Sequence, residues 1–174
     1  MLERLGAEQD NLRAALSWSF GAEGAETPAA ERARLGLGLA AALAEVGFWY
    51  AYGSSEGLRW LEEGLSEATA APQPVRAEAL GHAGFLALWP GEYQKAAALF
   101  GEAMALHEEL GDEAGIAVSI FYLGNAALSG GDRVRAEALR QKAEALFTRA
   151  MARNPREFWH WVNAGGSYLG VKPQ

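Results

Sequence analysis

The string most like a catalytic motif lies at residues 53–57, which match the G-x-S-x-G pattern that presents a serine nucleophile in hydrolases. That pattern needs a strand before the serine and an acid and a histidine later in the chain. Residues 35–52, which precede it, instead have the composition of a helix. We therefore expect Ser54 or Ser55 to be an N-cap, and we predict no catalytic residue.

A second string, Gly36-x-Gly38-x-x-Ala41, imitates a dinucleotide-binding fingerprint. The fingerprint requires a strand before the glycines and a βαβ unit around them, whereas these residues fall inside a predicted helix. Close packing of that helix against a neighbour explains the small residues better. No cofactor is expected.

The three histidines fall in three different predicted helices. His82, His107 and His160 have no further ligand at the spacing of a metal motif, so we expect packing or surface roles and no metal site. The pair Glu108 and Glu109 is interpreted as a solvated helix end.

Charge is distributed unevenly along a chain whose net charge is −7. Acidic groups prevail up to residue 130, and such an acidic body repels nucleic acid, so no direct nucleic-acid binding is expected. A basic stripe follows at helical spacing, and it could meet phosphates or an acidic partner, although an exposed helix face is the interpretation we favour. The stripe consists of Arg135, Lys142, Arg149, Arg153 and Arg156.

Composition predicts an all-α domain. The 174 residues are 50% apolar and 21% charged, which suits one soluble globular domain, and Ala, Leu and Glu greatly outnumber β-branched residues. Residues 35–52 are the most membrane-like segment, but they are rich in Ala and Gly and contain Glu45, so a buried helix is expected there. The lack of cysteine and of a secretion signal favours a cytoplasmic protein.

Residues 77–110 have the pattern of two antiparallel helices joined at Pro90-Gly91. Gly84 and Ala96 would let the two backbones approach, and Phe100 would fill the space between this unit and the next. Glycine and alanine residues of this unit recur forty positions after their counterparts, at Gly124, Gly131, Ala136 and Ala143. A looser copy lies upstream at Gly57, Leu61 and Gly64.

The repeat predicts a single domain over residues 1–174, arranged as a right-handed solenoid of about eight antiparallel helices in three to four hairpins. In the third unit Arg140 takes the place of Phe100, so weaker packing is expected there. The predicted parts are an N-terminal helix and loop (1–27), three hairpins (28–70, 71–110 and 111–153) and a C-terminal capping helix (154–174).

The central unit resembles a tetratricopeptide repeat (TPR), because Ala96-x3-Phe100 matches the A-x3-F half of that signature. The opening residues 5–18 look like the junction that precedes the TPR array in LuxR-type and MalT-like bacterial transcriptional activators. The segment Phe48-Trp49-Tyr50, with residues 56–63 after it, is similar to the first hairpin of that array. The resemblance covers about residues 2–150. The resemblance implies that this chain corresponds to the signal-receiving array alone, since the sequence contains no P-loop and no recognisable DNA-reading helix.

The resemblance implies that the first helices of the hairpins line a concave groove. We therefore expect a non-catalytic module that binds a protein or peptide partner there; the alternative is a sensor of a small, sugar-like molecule. A clamp for a peptide carboxylate is not expected, because Gly81 and Phe121 stand where lysines would be needed. The expected groove residues are Glu78, Phe85, Leu88, Trp89, Val118, Phe121, Tyr122 and Asn125.

The last segment departs from the repeat. Phe158, Trp161 and Val162 can share one face of a capping helix, whereas Trp159 points away from that face. An indole in that position is typical of an interface, so Trp159 is expected to support a homodimer; the alternative is that Trp159 folds back onto the groove of its own chain.

Overall fold

The computed structural model describes residues 2–21 and 26–153, and within them it contains nine helices and no strand. The predicted all-α class is therefore confirmed. The helices are α1 Leu2–Ala7, α2 Gln9–Gly21, α3 Ala29–Glu45, α4 Phe48–Tyr52, α5 Ser54–Glu67, α6 Gln73–Leu88, α7 Tyr93–Leu110, α8 Glu113–Ser129 and α9 Arg133–Arg153. The predicted capping helix, with His160 and Trp159, lies outside the described residues.

Two helices that the sequence predicts as continuous are each broken in two. The first breaks at Glu8, and the second breaks at Gly47, whose φ of +79° is the left-handed conformation that glycine adopts easily. The change of direction at Gly47 lets Phe48 and Trp49 both become buried, and the Trp49 indole N–H donates to the Ala40 carbonyl oxygen at 3.0 Å.

Two helix starts also differ from the predictions. Gly53, rather than Ser54 or Ser55, is the N-cap of α5, so no side chain forms a capping hydrogen bond at the start of this helix. Helix α6 begins at Gln73, before the repeat pattern itself, because Pro74 lies in its first turn, where the missing N–H costs nothing.

The last three turns between helices share one geometry. Gly91, Gly111 and Gly131 have φ values of +84°, +69° and +91°, and they lie twenty residues apart. After each glycine, the next backbone N–H donates to a carbonyl five residues earlier; Asp112, for example, donates to His107 at 2.9 Å. This is the Schellman arrangement, which satisfies the free carbonyls at a helix end.

The aspartates that follow two of these glycines start the next helix. Asp112 accepts a hydrogen bond from the Gly115 N–H, and Asp132 accepts one from the Arg135 N–H, each at 3.0 Å. Each Gly-Asp pair therefore ends one helix and caps the next.

Helices pack mainly in sequence-adjacent pairs, with α6 against α7, α7 against α8, and α8 against α9. The main core joins α2 to α8, while a smaller cluster lies between α8 and α9. That smaller cluster is made by Ala117, Ile120, Ala143 and Leu146.

The repeat positions of the central unit are buried. Phe100 is 1% exposed, and Ala96 and Ala103 are fully buried beside it in α7. At the equivalent place in the third unit, Arg140 is exposed and pairs with Glu137 at 2.8 Å. The last pair of helices consequently has the smaller buried core.

Gly84 faces the ring of Phe100 on the partner helix, and a Cβ added there would lie 3.0 Å from the nearest ring carbon. We expect Gly84→Leu to lower the free energy of unfolding by about 1–3 kcal/mol through overpacking. Urea denaturation would measure the change. Gly81→Leu is the matched control, because a Cβ at that position meets nothing within 4 Å. If both variants are as stable as the parent, the close approach at Gly84 is not a constraint.

Candidate functional site

Aromatic side chains from three helices form a continuous row across one face. The Phe85 ring of α6 lies 5.1 Å from the Tyr50 ring of α4 and 5.3 Å from the Tyr122 ring of α8, both edge to face at 82°. We call these three residues the aromatic row. Edge-to-face pairs at these distances are a favourable arrangement of aromatic rings.

The row rests on the core. The Phe100 ring stacks under Tyr122 at 5.1 Å and 11°, and Phe100 is itself buried between α6 and α8. The three rings of the row are partly buried and pack against the main core. Their positions are therefore fixed by packing.

Trp89 extends the row toward solvent. Its ring lies 6.4 Å from that of Phe85, and it is 63% exposed at the end of α6. An indole this exposed, next to a fixed aromatic surface, is a feature of protein interfaces, where tryptophan is enriched among the residues that contribute most to binding.

The remaining predicted groove residues occupy three environments. Leu88 packs against the main core, and Phe121 packs against the cluster between α8 and α9 while contacting the Tyr122 ring at 5.4 Å. Val118 and Asn125 are partly buried on α8. Glu78 is exposed on α6, two helical turns before Phe85.

Neighbouring groups raise the pKa of Glu78, although its side chain is exposed. Partial desolvation by the surrounding protein is the main cause, and the Glu45 carboxylate raises the pKa further. Asp112 adds to the effect, while His107 opposes it.

His82 lies between Glu78 and Phe85 on α6 and is partly buried. Burial lowers its pKa to about 4, because the imidazolium form loses hydration there. The ring is therefore neutral at pH 7.

A second histidine makes a contact that the sequence did not reveal. His107 Nδ1 lies 2.8 Å from an oxygen of Asp112, and the other Asp112 oxygen accepts the Gly115 N–H. Burial raises the pKa of Asp112, but the bonds from His107 and Gly115 outweigh it and hold that pKa below its usual value. Both carboxylate oxygens thus serve the turn between α7 and α8, which is a structural role.

The strings that imitate chemical sites are also structural. Glu56, within residues 53–57, binds Arg13 at 2.8 Å and so ties α5 to α2, and this bond is the main cause of its lowered pKa. A Cβ on Gly36 would overlap the Phe20 ring, so Gly36 permits close packing of α3 on α2, whereas Gly38 faces open space. Glu109 accepts a hydrogen bond from Gln73 at 2.7 Å.

The basic stripe lies on the surface of α9. Arg135, Lys142 and Arg149 are exposed, and Arg153 pairs with Glu113 at 2.8 Å. Arg156 falls outside the described residues. The stripe therefore forms a solvent-facing side of the last helix.

Residues 2–21 and 26–153 contain no group of three or more side chains that could together hold a metal ion. No helix in that part of the chain is long and apolar enough to cross a membrane.

Comparisons with known proteins returned no match: no family model, no curated protein and no solved structure is significantly similar to the chain.

Proposed function

We propose that the chain is a non-catalytic protein-interaction module that binds a partner segment across the aromatic row. One observation carries the proposal: three rings from α4, α6 and α8 touch in sequence, and Trp89 projects from them at 63% exposure. Binding energy at protein interfaces is concentrated in such aromatic residues.

The architecture that we propose for this module is a right-handed TPR-like solenoid, with the row on its concave side. Packing of sequence-adjacent helices and the recurrence of the Gly91 and Gly131 turns support this architecture. Repeats of this kind bury a continuous core by stacking, and they present extended concave surfaces to partners.

The regulatory role that we propose is signal reception in a cytoplasmic bacterial transcriptional regulator. It is supported by the resemblance of the opening residues to the junction that precedes the array in LuxR-type and MalT-like activators. In this chain the opening helices are part of the packed body, because Leu16 of α2 is fully buried and Arg13 binds Glu56 of α5.

A small-molecule sensor is the second candidate. Asn125 lies one turn beyond Tyr122 on α8, and an amide beside aromatic rings is a combination that suits a sugar. A thermal-shift panel of sugars and metabolites on the full chain tests this candidate. A saturable rise in Tm with one compound would favour the sensor over the protein-binding module.

The interaction proposal is tested by charge insertion at Trp89. Peptides selected by phage display on the full chain would be measured by fluorescence polarisation. We expect Trp89→Glu to weaken their binding by about ten-fold or more, because a carboxylate replaces an exposed aromatic anchor. Phe85 is a poorer probe, since its ring packs between two others and its replacement would disturb the fold.

Val134→Glu is the matched control. Val134 is 85% exposed on α9, and its substitution replaces an exposed apolar side chain with the same carboxylate as Trp89→Glu does. It should leave peptide binding unchanged. If the two variants bind selected peptides equally well, the aromatic row is not the binding surface.

A further inference from the structure

Arg32 is a buried cation with no carboxylate partner in the part of the chain that the structure describes. It lies in the first turn of α3 and is only 8% exposed. None of the ion pairs among residues 2–21 and 26–153 includes it. Arginine is seldom buried unless it is paired, because a charged group that leaves water loses its hydration. A negative group beside Arg32 would therefore be stabilising.

The guanidinium group of Arg32 has more hydrogen-bond donors than the protein has acceptors for it. Of its five N–H groups, one on Nη1 donates to the Thr27 carbonyl oxygen at 2.7 Å. Nε is buried and has no hydrogen-bond partner among the described residues. The Trp18 ring lies under the guanidinium, with its centroid 5.8 Å from Cζ. A neutral carbonyl and an aromatic ring leave the positive charge without a counter-ion.

The bond to Thr27 holds the guanidinium beside the N-terminus of the same helix. Thr27 immediately precedes the N-cap, Pro28, whose side chain forms no capping hydrogen bond. The backbone N–H groups of Ala29 and Ala30, at the start of the helix, donate no hydrogen bond within the described residues. Free N–H groups at a helix N-terminus carry partial positive charge and attract anions. The side chain and the helix end therefore favour the same kind of ligand.

We propose that Arg32 and the first turn of α3 form a binding site for an oxyanion, which is a phosphate or carboxylate group of a ligand. The planar guanidinium can donate to two oxygens of either group, and the free N–H groups of Ala29 and Ala30 supply further donors. The residues of this site lie on α2 and α3, whereas the aromatic row lies on α4, α6 and α8. The proposal is therefore independent of the protein-binding surface.

Two exposed carboxylates lie close to this site in the sequence. Glu26 and Glu31 are both exposed, and neither forms an ion pair with Arg32. Water and salt screen charges in such positions, whereas a buried cation is screened much less. The two carboxylates therefore weaken the attraction for an anion without replacing it. We expect a Kd of about 1–10 mM for a free ion.

The test is a titration of the full chain, labelled with ¹⁵N, with inorganic phosphate at constant ionic strength. We expect saturable NMR shifts of the Arg32 Nε–H signal and of the Ala29 and Ala30 amide signals. A parallel titration with acetate distinguishes the two oxyanions, because the anion that binds more tightly identifies the group that the site takes. If neither anion produces saturable shifts of these signals, the proposal is overturned.

Arg32→Gln should weaken phosphate binding by about ten-fold or more, because it removes the charged donor. Arg34→Gln is the matched control, since it removes the same charge from an exposed position two residues later on α3. Its phosphate affinity should equal that of the parent. An equal loss of affinity in the two variants would mean that long-range attraction, and not contact with Arg32, holds the anion.

Ala29→Pro keeps the test decisive if Arg32→Gln fails to fold. Proline is tolerated at the first position of a helix, and Pro28 already has a ψ of 140°, the extended conformation that a residue before proline adopts. The substitution removes one free N–H group, so phosphate affinity should fall by about two- to ten-fold while the circular dichroism spectrum stays unchanged. An unchanged affinity would show that the helix N-terminus does not contact the anion, and the proposed site would be wrong.

Discussion

Replacing Phe100 with alanine should lower the free energy of unfolding by about 3–5 kcal/mol. The ring is 1% exposed, lies against Gly84 of α6, and stacks on Tyr122 of α8, so three helices lose contacts at once. The cavity left between α6, α7 and α8 adds to the cost. Urea denaturation followed by circular dichroism would measure it.

Arg140→Ala provides the control at the same repeat position, forty residues later. Arg140 is exposed, and its partners Glu137 and Glu144 lie on its own helix, so the expected change is within about 0.5 kcal/mol. Similar losses in the two variants would show that the repeat position does not determine burial.

Stability should fall by up to about 3 kcal/mol between pH 6.5 and pH 4 through His82 alone. The folded pKa of about 4 lies below the ordinary histidine value of 6.5, so the unfolded chain binds the proton first as the pH falls. The contribution of His82 is therefore fully present above pH 6.5 and is lost toward pH 4. Denaturation of the parent across this range would follow the loss.

His82→Gln should remove this part of the pH dependence, because glutamine is polar but does not titrate in this range. Subtracting the variant's profile from the parent's cancels the carboxylates, including Glu78, whose raised pKa acts in the opposite direction. Identical profiles would show that the His82 ring is as well hydrated in the folded chain as in the unfolded one.

The parts of the fold that could be predicted from sequence depend on local chemistry. The Gly-Asp turns at Gly111 and Gly131 are of this kind, because a left-handed glycine and an aspartate cap depend only on neighbouring backbone groups. The breaks at Glu8 and Gly47 were missed. At both breaks the apolar pattern of the sequence continues, so the position of the break depends on contacts with residues distant in sequence. One such contact is the hydrogen bond that the Tyr52 hydroxyl donates to the Leu2 carbonyl oxygen.

The candidate site was only partly accessible to the same reasoning. Helical spacing puts Glu78, Phe85 and Trp89 on one side of α6, and that could be predicted from sequence alone. The contact of Tyr50 with Phe85 could not, because it depends on the direction that the chain takes after Gly47. The His107–Asp112 pair was also hidden, since it needs a particular side-chain rotamer across a turn.

The regular spacing of Gly91, Gly111 and Gly131 separates two properties of this chain that are often coupled. Left-handed backbone conformations at these three glycines determine where the chain reverses. The side chains between the glycines determine the surface that each helix presents. The exchange of Phe100 for Arg140 at one repeat position illustrates this, because the helices that precede these residues, α6 and α8, end in the same turn geometry. The side chains that a helix presents can therefore change by substitution while the geometry of the turns stays constant.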